Sequence, residues 1–507
     1  MSSDLNKKQP DAPQGLEGSG IKIRSVKYNV VMNMILTASS YLFPLITIPY
    51  VSRVLSTTGT GAVAFAQSFA QYFSLVALFG ISYYGIRACA QVRDDIVELT
   101  RTTKEILIIL FASTLLVSAV YVAVILTLPR FTDDQPLFLI FLAYIWFTSL
   151  GAEWFFQGIE QYRYITIRSV AFKAIAFVLM ILLVRERADY VVYGAILVFS
   201  VGGSAVLNLI RLFRIIDRKS KCELHPLRHF KEMKWFAIAL ISSGMYIHVD
   251  IVMLGFFGTT HMVGLYNLVS KIKTVLVSSV NSVGGVMLPR LSHYRATGDS
   301  EASRILIAKN VNFVFIMGFG IIALLLLCAE PIVLIMGGHD FIDSTIPLMV
   351  VGPAVLFSAM NIVIANHLIS EGYEKQWAAV NVIGLVLACL LNVVLIPLFG
   401  VIGAAISITS TEFLMLIMRS IVCRRFLSTI LALIDPLKIL VATVITALVT
   451  YGVLWLVGVD NPIIVVLIAG CVFLALYAAL LYALKEKLVR ELMGGFIARV
   501  KRKASGS

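Results

Sequence analysis

Charge is what this sequence has least of. Asp, Glu, Lys and Arg make up 14% of its 507 residues, where a soluble domain carries about 25%. That shortage excludes a water-soluble globular protein. Long polar stretches are missing as well: the apolar runs are separated by short breaks, so there is no extracytoplasmic segment large enough to fold as a domain of its own. Cysteine is scarce, with Cys89, Cys222 and Cys423 near one membrane face and Cys328, Cys389 and Cys471 inside apolar runs. None has an obvious partner on the oxidising side, so no disulfide framework is expected. The seven histidines, His225, His229, His248, His261, His293, His339 and His367, are scattered. They form no HExxH spacing and no Cys/His cluster. No nucleophile with a base and no metal cluster is legible, so the chain reads as a non-enzyme.

What is present is apolar length. Hydrophobic residues are 59% of the chain, and about fourteen runs are each long enough, at about 20 residues, to cross a bilayer. Val30–Tyr50 is the first, an uncleaved span, and Ile463–Leu484 the last. In hydrocarbon every backbone N–H and C=O must be satisfied within the protein, so these runs are helices. The expected fold is an all-α polytopic membrane protein. Residues 1–24 form a disordered tail, 25–216 a six-helix N-lobe, 217–234 a basic linker, and 235–425 a six-helix C-lobe. Residues 426–484 add two helices and 485–507 a basic tail.

The net charge of +13 does not point to nucleic acid, because the cations flank the spans. About 35 of the 42 Lys and Arg fall on one side of the membrane. Arg53, Arg130, Arg185 and Arg187 fall on the other. Both termini are therefore expected in the cytoplasm of a bacterium, with the chain in its inner membrane. The basic linker also attracts anionic membrane lipid.

A weak repeat supports two halves. Gly61 aligns with Gly264 and Arg87 with Arg290 at one offset, which also sets Ser40 on Ser243 and Thr47 on Asp250. Six spans per half give the halves one orientation, and two such bundles leave a cleft that rocking opens to each side in turn. That is alternating access.

Polar residues inside the spans point to such a cleft. Asn267, Lys271, Thr274, Ser278 and Asn281 recur every three or four residues on one helix face. Ser243, Tyr246 and Asp250 share another face, as do Gln67, Gln71 and Ser74, and Asn33, Thr37, Ser40 and Pro44. These stripes either line water or bond across packed helices. Asp250 and Lys271 lie at similar depth and are expected to pair. Lys173 is expected to snorkel to the interface, and Lys273 lies off the stripe at the cleft edge. Glu412, near the middle of its span, is a candidate proton or cation site, against a structural carboxyl bonded to a neighbour. Pro44 is expected to bend the first span into a gate.

Seven strings then carry a resemblance: LFPLITIPYVSRVL (42–55), GISYYGIRACAQVRDD (80–95), EWFFQGIEQYRYITIRS (153–169), VDIVMLGFFG (249–258), VGLYNLVSKIK (263–273), VMLPRLS (286–292) and GAAISITSTEF (403–413). In this order the chain resembles the Wzx-type lipid-linked polysaccharide flippases of the multidrug/oligosaccharidyl-lipid/polysaccharide exporter superfamily. The resemblance implies a flippase that moves an undecaprenyl-diphosphate-linked oligosaccharide repeat unit to the outer leaflet, for O-antigen, capsule or exopolysaccharide. A polysaccharide polymerase and glycosyltransferases would be its partners. Arg53, Arg87, Lys271 and Arg290 stand in matching strings and suit a diphosphate. Lys273, Asn267, Gln71 and Tyr246 would add to the substrate site. Glu412 and Asp250 would carry coupling, with H⁺ or Na⁺ as the ion and no other cofactor. Glu153, Gln157 and Pro44 would form gates, while Trp154, Phe155 and Phe156 read equally as an interfacial aromatic belt. A cation-coupled multidrug exporter of the same superfamily shares the architecture. So does a peptidoglycan-precursor flippase, which these strings match less well. A membrane-embedded polysaccharide-processing enzyme is the alternative from another class.

Overall fold

The computed structural model describes residues 25–217, 223–281, 290, 291, 294, 297 and 299–491. The 1–24 tail, Lys219, Lys221 and Cys222 of the linker, residues 286–289 and 292 of the VMLPRLS string, and the 492–507 part of the basic tail lie outside the described residues.

Among the described residues the chain is helical without strands. The helices are α1 (Val26–Leu78), α2 (Ile81–Val92), α3 (Ile96–Thr127), α4 (Gln135–Leu150), α5 (Glu153–Gly158), α6 (Tyr162–Leu183), α7 (Tyr190–Ile215) and α8 (Phe230–Phe257). They continue as α9 (Thr260–Asn281), α10 (Ser300–Met336), α11 (Thr345–Ser370), α12 (Glu374–Val422), α13 (Arg424–Ile430), α14 (Pro436–Val457) and α15 (Pro462–Ala483). Their ends follow local chemistry. Asp95 and Asn461 accept hydrogen bonds from the first free backbone N–H groups of α3 and α15. Pro436 and Pro462 open α14 and α15, where a missing N–H is harmless.

Eleven helical stretches among the described residues are long and apolar enough to cross a membrane. The protein is a multi-pass membrane protein. Helix α1 has 53 residues, a length of about 80 Å if straight, against a hydrocarbon core of about 30 Å. It breaks instead at Ser56, whose φ of 57° and ψ of −172° leave the helical region. The 49-residue α12 breaks likewise at Gly400, with φ 57°. The non-helical backbone inside α1 is at Ser56, and Pro44 lies within helix. Helix α9 is not among the eleven, because Asn267, Lys271, Lys273 and Thr274 dilute its apolar content.

Two compact units are formed. The first holds the described residues up to Pro44 and Ala66–Met245; the second holds Leu45–Phe65 and the described residues from Tyr246 on. In the first unit α2 packs tightly on α5. A Cβ at Gly85 would lie 2.7 Å from the Trp154 ring, and one at Gly158 would lie 2.8 Å from the Cys89 Cβ. Trp154, Phe155 and Phe156 are buried there with Ile81, Tyr84 and Leu99. The aromatic-belt reading is thus corrected: these rings fill a core, because the left-handed residues Ala152 and Glu160 fold the short α5 inward.

Glu105 ties the far end of the basic linker to this core. Fully buried on α3, it accepts the His225 N–H at 2.7 Å, Arg228 Nε–H at 2.9 Å and His229 Nε2–H at 2.7 Å. His229 Nδ1 then accepts the Tyr84 hydroxyl at 2.6 Å. Lys173 does not snorkel as expected: its Nζ donates to Ser39 Oγ and Ser40 Oγ on α1, each at 2.9 Å. Two neighbouring hydroxyls satisfy the ammonium within the helix layer.

In the second unit the repeat becomes a contact. A Cβ at Gly61 would lie 1.8 Å from the Thr260 carbonyl oxygen, and one at Gly264 would lie 1.9 Å from that of Thr57. Thr57 and Thr260 share the offset of the two glycines, so the contact is reciprocal. The Thr57 hydroxyl bonds His261 Nδ1 at 2.7 Å beside it. Helices α14 and α15 join through Ile439, Ala442, Phe473 and Tyr477, packed on Ala323 of α10. Cys89, Cys328, Cys389, Cys423 and Cys471 are free. Burial pushes the Cys423 thiol up to about 11, so it stays protonated at neutral pH.

The glycine contact generates a test. Gly264→Ala forces the two backbones apart and lowers stability by about 1–3 kcal/mol, the usual cost of overpacking. Gly452→Ala, which meets nothing within 4 Å, leaves stability unchanged. Unfolding midpoints in detergent compare the two; equal midpoints would contradict the close approach.

Candidate functional site

Hydrocarbon forces any buried polar group to find a partner, and the second unit gathers several. Glu412 on α12 is 7% exposed. Its Oε2 accepts the Asn361 side-chain N–H at 2.8 Å, and the same amide nitrogen donates to the Glu412 main-chain oxygen at 2.9 Å. Asn361 therefore clamps α11 to α12. Two turns further along α12, buried Arg419 donates from Nη1 to the Asn361 carbonyl at 3.0 Å and from Nη2 to Asn381 Oδ1 at 2.7 Å. Carboxylate and guanidinium are thus linked through one asparagine and act on each other electrostatically.

Asp250 on α8 forms a second node. It is 4% exposed; Oδ2 accepts the Tyr266 hydroxyl at 2.7 Å, and Oδ1 accepts the Asn392 N–H at 2.8 Å. The expected pairing with Lys271 is not seen: both carboxylate oxygens are held by neutral donors. Lys273 is the cation whose field reaches Asp250, and Lys271 is half-buried without an ion pair among the described residues. Tyr246, half-buried, feels the charges of Glu412, Asp250 and Arg419. The two nodes form one electrostatic neighbourhood.

The remaining residues singled out in the sequence are placed as follows. Arg53 is exposed and donates from Nη1 to Pro49 O at 2.7 Å and from Nη2 to Leu334 O at 3.1 Å and Ile335 O at 2.7 Å. It caps the carbonyl end of α10, where a cation suits the helix dipole. Arg87 and Arg290 are exposed, and Asn267 is buried on α9. Gln71 accepts the Tyr144 hydroxyl at 2.5 Å, a bond between packed helices. Gln157 donates to Glu153 at 3.4 Å, and Glu153 lies 3.8 Å from Arg168. Among the described residues no group of three His, Cys, Asp or Glu could hold a metal.

The structure therefore brings Glu412, Asp250 and Tyr246 together, and leaves Arg53, Arg87 and Arg290 outside that cluster. Sequence reasoning missed Asn361, Asn381, Asn392, Tyr266 and Arg419. The spacing of seven between Glu412 and Arg419, which sets both on one helix face, is the signal that could have found the guanidinium.

A model of the family described as polysaccharide biosynthesis protein matches residues 26–295. A protein of Escherichia coli (strain K12) that carries the name of an O-antigen transporter is 24% identical over 404 residues, covering 77% of this chain and 94% of its own. Among solved structures, the lipid II flippase MurJ in an inward closed conformation is similar with a TM-score of 0.66 at 15% identity, over 90% of this chain and 99% of its own. An inward-facing multidrug resistance MATE family transporter of the MOP superfamily is similar with a TM-score of 0.59 at 11% identity, over 79% and 98%.

The cluster is testable as a coupled unit. Neutralising one member of a buried charge system strands the other and costs about 3–5 kcal/mol, whereas neutralising both avoids the stranded charge. Glu412→Gln and Arg419→Met each lower the unfolding midpoint, and the double variant is more stable than the sum of the two predicts, by about 0.5–3 kcal/mol. Strict additivity would show that the two charges do not interact.

Proposed function

Because the chain belongs to the polysaccharide biosynthesis protein family, we propose that it is a flippase for undecaprenyl-diphosphate-linked oligosaccharide repeat units, working by alternating access. One observation carries this reading: similarity over 77% of this chain and 94% of a protein named for O-antigen transport. The helical architecture supports a transporter, since it resembles flippases and exporters alike. The cations favour an anionic substrate over a cationic drug. Lys271 stands half-buried on α9 and is the group proposed to meet the diphosphate, with Lys273 and Asn267 on the same helix. Arg87 and Arg290 are proposed as capture sites at the cytoplasmic mouth. Arg53 keeps N–H groups beyond those it spends on α10, and is proposed to contact substrate as well as to cap.

The eleven candidate helices, with broken α1 and α12 each counted twice and α9 added, support fourteen crossings with both termini cytoplasmic in the inner membrane. Glu412 and Asp250 are proposed to bind the coupling ion, H⁺ or Na⁺. A carboxylate held by neutral donors, as Asp250 is, can exchange its charge state without breaking an ion pair. Glu153 and Gln157 are proposed as gate residues, and the enzymes that build and polymerise the repeat unit as partners.

Loss of the gene should abolish the surface polysaccharide while lipid-linked repeat units accumulate. Complementation with Lys271→Ala should leave export at about a tenth or less of the wild-type level, the cost of one charge-assisted contact of about 1.5–3 kcal/mol. Lys271→Arg should restore part of it, since the charge survives. Radiolabelled lipid extracts and membrane expression levels read the result; full export by Lys271→Ala at normal expression removes Lys271 from the substrate site.

A further inference from the structure

A cavity of about 430 Å³ lies in the first unit, on the side of the chain's first helix end, among Asn29 of α1, the start of α6 and the end of α7. Its lining is mixed, and the cationic part is Arg163, Arg168 and Arg211. The carboxylate in the lining, Glu160, is ion-paired with Arg93 at 2.5 Å and accepts the Asn29 side-chain N–H at 3.3 Å. Glu153 stands 3.8 Å from Arg168 Nη2. Among the lining residues three guanidiniums face one carboxylate, a surplus of two positive charges.

The arginines are held ready. The Tyr164 ring is fixed by its hydroxyl, which donates to Leu207 O at 3.0 Å. Arg211 stacks over that ring at 4.0 Å and Arg168 lies 5.6 Å from its centre. Stacking fixes a guanidinium plane while leaving N–H groups for an acceptor. Arg211 uses Nη2 on Gln161 Oε1 at 3.3 Å, and Arg168 uses Nη1 on Ser204 O at 3.3 Å. Arg168 is 6% exposed, and its Nε and the Asn29 Oδ1 are buried without a partner. Such groups are rare without a reason.

The lining also includes apolar residues, Ile167, Ala171, Phe172 and Leu207. Ile167 is 56% and Leu207 42% exposed on spanning helices, which in a membrane means contact with acyl chains. An acceptor for arginine that also carries hydrocarbon chains fits both kinds of lining residue, whereas a free anion fits only the arginines.

We propose that this cavity is a binding site for the phosphate headgroup of an anionic glycerophospholipid, a resident lipid distinct from the transported substrate. Basic pockets between spanning helices recognise such headgroups. Arg163 and Arg211 contact the phosphate, buried Arg168 positions the site, and Ile167 with Leu207 meets the chains. The site shares no residue with Lys271 or the Glu412 cluster, and it does not depend on what the protein transports.

The test uses the full-length protein in a neutral detergent. Phosphatidylglycerol should raise the unfolding midpoint at concentrations where phosphatidylcholine does not. In Arg163→Gln/Arg211→Gln the concentration needed should rise about 30-fold, from two arginines each contributing a factor of roughly five. Glycerol phosphate and inorganic phosphate should not reproduce the effect; equal protection by either would overturn the lipid assignment. Stronger protection by undecaprenyl phosphate than by phosphatidylglycerol would overturn the claim of a resident phospholipid. Unchanged phosphatidylglycerol protection in the double variant would overturn the site. Should that variant fail to fold, Arg163→Cys replaces it, with alkylation at residue 163 followed by peptide mass spectrometry. Phosphatidylglycerol should slow that alkylation at least five-fold relative to phosphatidylcholine, and equal rates would overturn the proposal.

Discussion

The hydrogen bond from Asn361 to Glu412 is the interaction on which the second unit's polar interior turns. A carboxylate in hydrocarbon costs at least about 2.5–3.5 kcal/mol on insertion scales, and a single neutral donor does not repay that. Asn361 does more than donate. Its side chain holds the Glu412 carboxylate and main chain together, and its own carbonyl receives Arg419. One small amide thereby lets opposite charges share a neighbourhood without touching. Helices α11 and α12 are joined by it, and Thr409 Oγ1, which donates to Val350 O at 2.9 Å, adds a second polar link. Asp250 is settled differently, by a tyrosine and an asparagine. One carboxylate thus sits within reach of a guanidinium and the other among neutral donors.

Backbone geometry imposes the second constraint. Helices of 53 and 49 residues exceed any bilayer, and each turns at one left-handed residue. At Gly400 the sequence supplies glycine, for which a positive φ carries little strain. At Ser56 it supplies serine, so the turn there is held by tertiary contact. That contact is close by: Thr57 touches His261, and Gly61 and Gly264 let the backbones approach. The strained residue and the closest helix crossing lie within one stretch of chain, and each supports the other.

Much of the fold was legible because hydrocarbon leaves few choices. Apolar length dictates helix, and the offset linking Gly61 to Gly264 proved to mark residues that touch. The interior was less legible. Lys173 was read from depth alone, but Ser39 and Ser40 sit on a helix far away in sequence. Asp250 and Lys271 were matched by depth, which fixes height in the membrane but not direction around a helix. The rings of Trp154, Phe155 and Phe156 resembled an interfacial belt until the left-handed Ala152 and Glu160 turned them inward. Arg419 is hard to single out because cations near a helix end are common on topological grounds. In each case the missing information was a tertiary partner.

The central claim is movement of a lipid-linked oligosaccharide across the bilayer by this chain alone. Purified protein in unilamellar vesicles, loaded on one leaflet with a fluorescent undecaprenyl-diphosphate oligosaccharide, tests it directly. A membrane-impermeant sugar-modifying enzyme or quencher reports the leaflet. Protein-dependent transfer within minutes is expected, reduced in Glu412→Gln and Lys271→Ala vesicles and absent from protein-free ones. Equal transfer rates with and without the protein, at confirmed incorporation, would contradict it.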